Sequence, residues 1–412
     1  MKKKILFVIN TMGRAGAEKC LLSMLKYMDM ERYEISLFSV INRGEMFRHV
    51  PKGVKILNEN PCVESVLDKK AKRELAKTIV RNGLKKGYFF KEIGYLWKMA
   101  FYQRKHAGLD FKKLFWKLLA DHAPKQEEDF DLAVAYIQGA ATYYVMDHVQ
   151  AKKKIAFLHN EFIDSGYCPS LDEPYYEKAD KIYCVSRSIC EHFAKVYPGM
   201  AEKMDVFYNL LDTEEIKEKA SKTQDMLPLF LQGLKERKEK KQVLLLTAAR
   251  LAPVKAYDLA VPALSIVRKK GYDVKWYVLG EGPEKENVER LIQEAGLEDS
   301  FFLLGVTDNP YPYMAACDIY VQATRYEGCC TSISEAVILQ KPVIASDCDG
   351  NKEQLNRYET GILVKLTPEG IAEGIIKAAA DEGLRKELVE QADMSDFEPY
   401  KALERIYKFV EA

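Results

Sequence analysis

Short apolar runs bounded by turns, each followed by a segment of helical length, recur along the whole chain, and this alternation limits the fold more than any other feature. The opening KKKILFVINTMGRAGAEKCLLSMLKYM reads as a strand, a turn holding Gly13 and Gly16, and a helix with Leu21, Leu22, Leu25 and Met28 on one face. Strand, glycine turn and helix together open a βαβ unit. Further strands are expected at YEISLFSVI, FDLAVAYI, KKIAFLHN, KIYCVS and KMDVFYN. A second series starts at QVLLLTAAR and continues through DVKWYVLGEG, SFFLLG, CDIYVQAT, KPVIASD and TGILVKL. Two successive α/β series predict two doubly wound, Rossmann-like domains with parallel sheets facing a cleft. Two domains also suit a chain of 412 residues, 48% hydrophobic. The charged stretch from Asp212 to Gln242 is the expected link between them.

In open α/β sheets ligands bind beyond the carboxyl ends of the strands. The loops Gly13 to Gly16, Arg250 to Lys255 and Glu327 to Ser332 are therefore expected at the binding end. In RYEGCCTSISEA, Glu327 and Glu335 stand eight positions apart around small and polar residues, with a helix expected to begin at Thr331 or Ser332. A helix N-terminus offers unpaired amides and the positive end of a dipole, which suit a phosphate. Glu335, expected in the first turn, is suited to accept hydrogen bonds from a ribose diol. Ser332-x-x-Glu335 is equally a capping box, which needs no ligand. In TAARLAPVKAYD, Arg250 and Lys255 can reach one point from a loop and neutralise a departing diphosphate without a metal, although such a pair is commonly just solvated.

These stretches, together with VLGEGP, resemble glycosyltransferase family 4, retaining enzymes of the GT-B fold whose signature is E-x(7)-E. Here it appears as Glu327 to Glu335 within YEGCCTSISEAVILQKPVIASD. The family's Gly-Arg-Leu loop ending in Lys-Gly appears as ARLAPVKA, and its Gly-x-Gly-Pro as Gly280, Gly282 and Pro283. In the first half, Gly16 to Glu18 is similar to the family's Gly-Gly-x-Glu loop, and FYNLLD to its Tyr-Asn-Gly-x-Asp. The resemblance is strong from Val243 to Val364 and weak between Asn60 and Asp129.

The resemblance implies a set of roles. Glu327 would contact the donor sugar near its reacting face and Glu335 would hold the ribose hydroxyls. Arg250 and Lys255 would neutralise the diphosphate, helped by backbone at Gly328 and Cys330 and by Thr331 and Ser332. Gly16 and Gly280 would lie against the donor, and backbone at Val306 would meet the nucleobase. His159, at the end of KKIAFLHN, falls where the family places a histidine that reaches the transferred sugar. A histidine at a strand end is otherwise commonly structural. Transfer would proceed with retention, by attack on the face from which the diphosphate leaves, and no cofactor or metal is expected.

Six positions depart from the family pattern. Ala249 and Ala256 replace glycines of the cationic loop, Ala15 replaces the first glycine of the N-terminal loop, and Leu210 the glycine after Asn209; Cys329 and Cys330 stand for a common Phe-Pro. Backbone approach to the phosphate is expected to differ in consequence. Asp347 and Asp349, and Asp129 and Asp131, mimic a D-x-D metal motif but read as turns at strand edges. Nine cysteines without a C-x-x-C pair indicate reduced thiols and no zinc site.

Net charge is +1, which argues against a general nucleic-acid binder, yet Lys69 to Lys125 carries sixteen Lys and Arg against four Asp and Glu. Its lysines are interleaved with Phe, Tyr and Trp, the composition of a helix at an anionic membrane surface; an inserted helical hairpin packed on the domain is the other reading. RNA binding is disfavoured, since no RNA-binding signature accompanies the charge. The apolar run Ile5 to Ile9 is too short for a membrane helix. A cytoplasmic location is expected, on the inner face of the cell membrane if the basic segment binds lipid.

The expected organisation is an acceptor-side domain over 1–211 with a basic helical insertion at about 61–128, a nucleotide-sugar domain over 212–395, and a helix over 396–412 returning to the first. The expected activity is hexose transfer from a nucleotide sugar, UDP-sugar favoured, to a glycan or lipid-linked saccharide in bacterial surface polysaccharide synthesis. The competing reading is a non-catalytic nucleotide-binding or membrane-associated protein of the same fold.

Overall fold

The computed structural model describes residues 2–65, 114–162, 165–240 and 242–412, together with Arg73, Lys77, Trp97 and Phe101. The chain forms two compact units, Met1–Leu211 with Glu398–Ala412, and Asp212–Phe397.

The first unit is built on a parallel sheet of β1 (Lys3–Ile9), β2 (Tyr33–Ser39), β3 (Lys55–Ile56), β4 (Phe130–Ala135), β5 (Ala151–Leu158), β6 (Lys181–Cys184) and β7 (Met204–Val206). Their order among the described residues is β3-β2-β1-β4-β5-β6-β7. In β1 the run Ile5–Ile9 is wholly buried, because helices cover both faces of such a sheet and every position must be apolar. The chain turns back at β1 and β4, which makes their carboxyl ends the switch point where a doubly wound sheet binds ligands.

The C-terminal helix Pro399–Glu411 belongs to this unit. Leu403, Ile406 and Val410 form its buried face. The Asp29 amide donates to the Tyr407 hydroxyl at 2.8 Å, and the Tyr407 ring stacks on Tyr33 at 4.9 Å. Lys3 and Lys153 hold its last carbonyls, those of Val410 and Phe409, at 2.9 and 2.8 Å, which suits the negative end of a helix dipole.

The second unit repeats the plan with β8 (Val243–Ala248), β9 (Val274–Leu279), β10 (Phe301–Gly305), β11 (Ile319–Gln322), β12 (Val343–Ser346) and β13 (Ile362–Val364). The order is β10-β9-β8-β11-β12-β13, with the switch point between β8 and β11. Both sheets are parallel and doubly wound, as the two α/β series predict.

The charged segment read as a link is folded into this unit. Asp212 caps the helix Thr213–Ala220 by accepting from the Glu215 amide at 3.0 Å. The helix Pro228–Lys240 follows and buries Phe230 against Tyr277 and Tyr313. Its Gly233 is required by packing, since a Cβ there would stand 2.1 Å from the Tyr277 hydroxyl.

Most of the basic stretch Lys69 to Lys125 lies outside the described residues. Its end does not: the helix Leu114–His122 lies on the helix Ala140–His148, with Trp116 against Gly139 and Lys117 paired to Asp121 at 3.1 Å. Trp97 and Phe101 are exposed. Among the described residues no helix is long and apolar enough to cross a membrane.

Candidate active site

The binding end of the second unit is assembled by backbone contacts that its glycines permit. Gly280, at φ +149°, would place a Cβ 2.0 Å from the Ala249 carbonyl, and Gly282 would place one 2.1 Å from that of Leu251. The loops after β8 and β9 therefore lie backbone on backbone, with the Leu251 amide donating to Glu281 at 3.1 Å and Glu284 to Leu251 at 3.0 Å. The loop after β11 is stitched to the same place. Thr324 donates through Oγ1, and Arg325 through its amide, to the Val254 carbonyl at 3.0 and 2.8 Å, and the Arg325 guanidinium pairs with Asp258 at 2.7 Å.

This stitching brings Lys255 and Glu327, 72 residues apart, into a direct ion pair. Both side chains are mostly buried. Burial alone would lower the Lys255 pKa; the Glu327 carboxylate and the nearby Cys330 outweigh it, so the ammonium is held above its ordinary value. Arg250 is exposed on the same loop. Gly328 is half-buried beside Glu327, whose carbonyl presses on Gly350 so closely that a Cβ there would stand at 2.2 Å.

The helix after this loop begins at Thr331, one of the two starts read from its sequence, and the capping box that was the alternative to a ligand is absent. Cys330 is the N-cap and contributes no side-chain cap. Ser332 lies inside the helix, and its hydroxyl donates to the Ala248 carbonyl at 3.0 Å. The expected amide cradle is also narrower: the Cys330 amide donates to Gln354 Oε1 at 2.7 Å, and Gln354 Nε2 returns a bond to the Cys330 carbonyl at 2.9 Å. Thr331 and Ser332 provide the first amides without an intrahelical acceptor.

Glu335 is the fifth helical residue, past the first turn where it was expected, and is 1% exposed. Its Oε1 accepts from the Tyr311 hydroxyl at 3.1 Å. Val306, following β10, is 56% exposed. Of the replaced glycines, Ala256 is the one with positive φ, +48°; its buried methyl offsets part of the left-handed cost. Ala15 is extended at φ −135° and needs no glycine.

In the first unit the switch point is tied together by two side-chain amides. Asn10 donates to the Gln138 carbonyl at 2.8 Å and accepts from the Ala141 amide at 2.7 Å. Gln138 accepts from the His159 amide at 2.8 Å and donates to Asn160 at 2.7 Å. His159 follows β5, and burial lowers its pKa to about 3. One ring nitrogen is bonded to the Tyr136 backbone, while Nε2 is buried without a partner. A neutral imidazole that donates from Nδ1 offers Nε2 as an acceptor, which suits a ligand hydroxyl.

Gly16 opens the helix Gly16–Tyr27. Two residues on stands a group that the sequence signals only as the last letter of GAE. Glu18 is 6% exposed, accepts from the Thr11 hydroxyl at 3.1 Å, and is pushed up to about 7 by burial, with the Glu45 charge adding to the rise. Asp131, half of a D-x-D mimic, is occupied structurally: it accepts from the Lys4 amide at 2.8 Å and pairs with Lys152 at 2.7 Å.

Comparison with known proteins bears on the second unit first. Residues 234–394 match the family described as glycosyl transferases group 1. That match covers most of the second unit. The ion pair, the helix at Thr331 and Glu335 all lie inside it. Over 213 residues the chain is 30% identical to the N-acetylgalactosamine-N,N'-diacetylbacillosaminyl-diphospho-undecaprenol 4-alpha-N-acetylgalactosaminyltransferase of Campylobacter jejuni, covering 51% of this chain and 54% of that protein. It is 31% identical over 118 residues to the poly(ribitol-phosphate) alpha-N-acetylglucosaminyltransferase of Staphylococcus aureus, covering 28% and 24%. The chain thus spans about half the length, or less, of these two relatives. In fold it is similar to Anabaena Alr3699/HepE in complex with UDP, at TM-score 0.65 and 18% identity over the full length of both chains. It is also similar to WaaG, a glycosyltransferase involved in lipopolysaccharide biosynthesis, at TM-score 0.61 and 15% identity over 98% of this chain and 99% of that one.

Proposed function

We propose that the chain is a retaining glycosyltransferase of family 4 that moves a hexose from a nucleotide sugar, UDP-sugar favoured, to a glycan or lipid-linked saccharide. The observation that carries this reading is the Lys255–Glu327 ion pair at the switch point of a group 1 domain, beside a helix N-terminus. A cation and a carboxylate that neutralise each other in the free protein are ready to separate onto a diphosphate and a sugar. Lys255 and Arg250, with the Thr331 and Ser332 amides, take up the charge of the departing diphosphate, so no metal is required. Glu335 accepts from ribose hydroxyls, backbone at Val306 meets the base, and Gly16 and Gly280 let backbone approach the donor. Glu327 holds the sugar, and His159 Nε2 accepts from one of its hydroxyls. The bond from the anomeric carbon to the diphosphate breaks as the acceptor oxygen attacks from the same face, and the acceptor proton passes to the leaving phosphate.

A lipid-linked acceptor draws support from the Campylobacter relative, whose name specifies a diphospho-undecaprenol saccharide. With such an acceptor, the reaction we propose belongs to bacterial surface polysaccharide synthesis on the inner membrane face. The test is incubation with radiolabelled UDP-hexoses and UDP-N-acetylhexosamines, lipid-linked acceptors and excess chelator. An α-linked product from an α-linked donor supports the reading, and loss of transfer in chelator removes the metal-free step.

A further inference from the structure

Beneath Glu327 runs a buried polar chain that the roles above do not use. Tyr320 and Gln322 lie on β11, in the middle of the second sheet, and both are wholly buried. Polar side chains at such positions persist only where their hydrogen bonds are met, so their partners are informative. The Ala248 amide donates to the Tyr320 hydroxyl oxygen at 3.3 Å. With its acceptor face so occupied, the hydroxyl gives its hydrogen to Gln322 Oε1 at 3.0 Å, closer than the alternative, the Ala248 carbonyl, at 3.4 Å. That bond fixes the amide orientation: Oε1 faces Tyr320 and Nε2 faces outward. Outward of Nε2, at 3.4 Å, is Glu327 Oε1.

Glu327 Oε1 thus receives two donors, Gln322 Nε2 at the end of β11 and Lys255 Nζ in the loop after β8. Neither bond uses Oε2. We propose that Gln322, oriented by Tyr320, is a positioning residue that pins one oxygen of Glu327 so that the other faces the reacting sugar. When Lys255 swings onto the diphosphate, Gln322 is the donor left holding the carboxylate in register. A misplaced carboxylate costs rate more than binding, because the contact that matters forms in the transition state. The proposal rests on the donor-site reading of Glu327.

The experiment measures kcat, donor KM, calorimetric UDP affinity and melting temperature for wild type, Gln322→Leu, the pair Tyr320→Phe with Gln322→Leu, and Glu327→Gln. Gln322→Leu alone leaves the buried Tyr320 hydroxyl only the longer bond to the Ala248 carbonyl and can lower stability. The double variant removes both polar partners and keeps an apolar, well-packed strand. The expected result is a fall in kcat of about 10-fold or more in both, with UDP affinity within about twofold of wild type. A purely structural role would move melting temperature and leave kcat of the folded double variant intact. Wild-type kcat in the double variant, with Glu327→Gln inactive, overturns the positioning role alone. Full activity in Glu327→Gln overturns the donor-site reading and this proposal with it.

Discussion

Replacing Glu18 with Gln tests how the first unit holds a carboxyl at its switch point. The side chain is buried beside Thr11, and burial is the main cause of its rise from 4.5 to about 7. At about 1.4 kcal/mol per pH unit, that rise is worth roughly 3 kcal/mol. The sign follows from linkage. Between pH 4.5 and about 7 the folded chain keeps a proton that the unfolded chain has lost, so stability falls as pH rises through this window. Above it, the fold carries the full cost of a buried carboxylate. Glu18→Gln does not titrate and keeps a partner for the Thr11 hydroxyl. The two proteins should therefore be about equally stable near pH 4.5, and the variant more stable by roughly 3 kcal/mol at pH 8.5. Urea unfolding of both from pH 4.5 to 8.5 measures the difference, in which all other titrating groups cancel. A difference that is flat with pH, or one that favours the wild type at pH 8.5, would refute the reasoning.

Breaking the ion pair should be costly and reversible. Lys255→Met strands the Glu327 carboxylate and should cost roughly 3 kcal/mol by thermal unfolding, most of which returns when Glu327→Gln is added; an additive loss would show that the pair is not coupled. Gly280→Ala forces a Cβ onto the Ala249 carbonyl at a positive φ and should cost about 2 kcal/mol or more. Ala256→Gly should stay within about 1 kcal/mol of wild type, because relief of the left-handed alanine is offset by the lost methyl and the added chain entropy. Equal losses in the two variants would contradict the loop geometry.

What was legible in the sequence follows the range of the forces involved. Strands such as those holding Ile5–Ile9 and Leu244–Leu246 announce themselves because burial on both faces demands an unbroken apolar run. β3 does not, since two residues carry no pattern. The start of the helix at Thr331 was readable from local chemistry, but what its polar residues bind was not. Ser332 forgoes the local cap for Ala248, and the Cys330 amide is taken by Gln354, both partners supplied by the folded sheet and not by neighbours in the chain. The pairing of Lys255 with Glu327 likewise depends on Thr324 and Arg325 reaching Val254. Glu18 was hidden for the same reason, because a glutamate in a helical first turn looks solvated until the loops around it close. Gln322 gave no signal either, being one polar residue in the strand DIYVQAT.

The measurement closest to the central claim is calorimetric titration of UDP into wild-type protein and Glu335→Gln, in excess chelator. The proposed donor site requires micromolar UDP binding by the wild type and a loss of about 10-fold or more in the variant. No heat from folded wild type, or equal binding by the variant, would contradict a metal-independent nucleotide-sugar site built on Glu335.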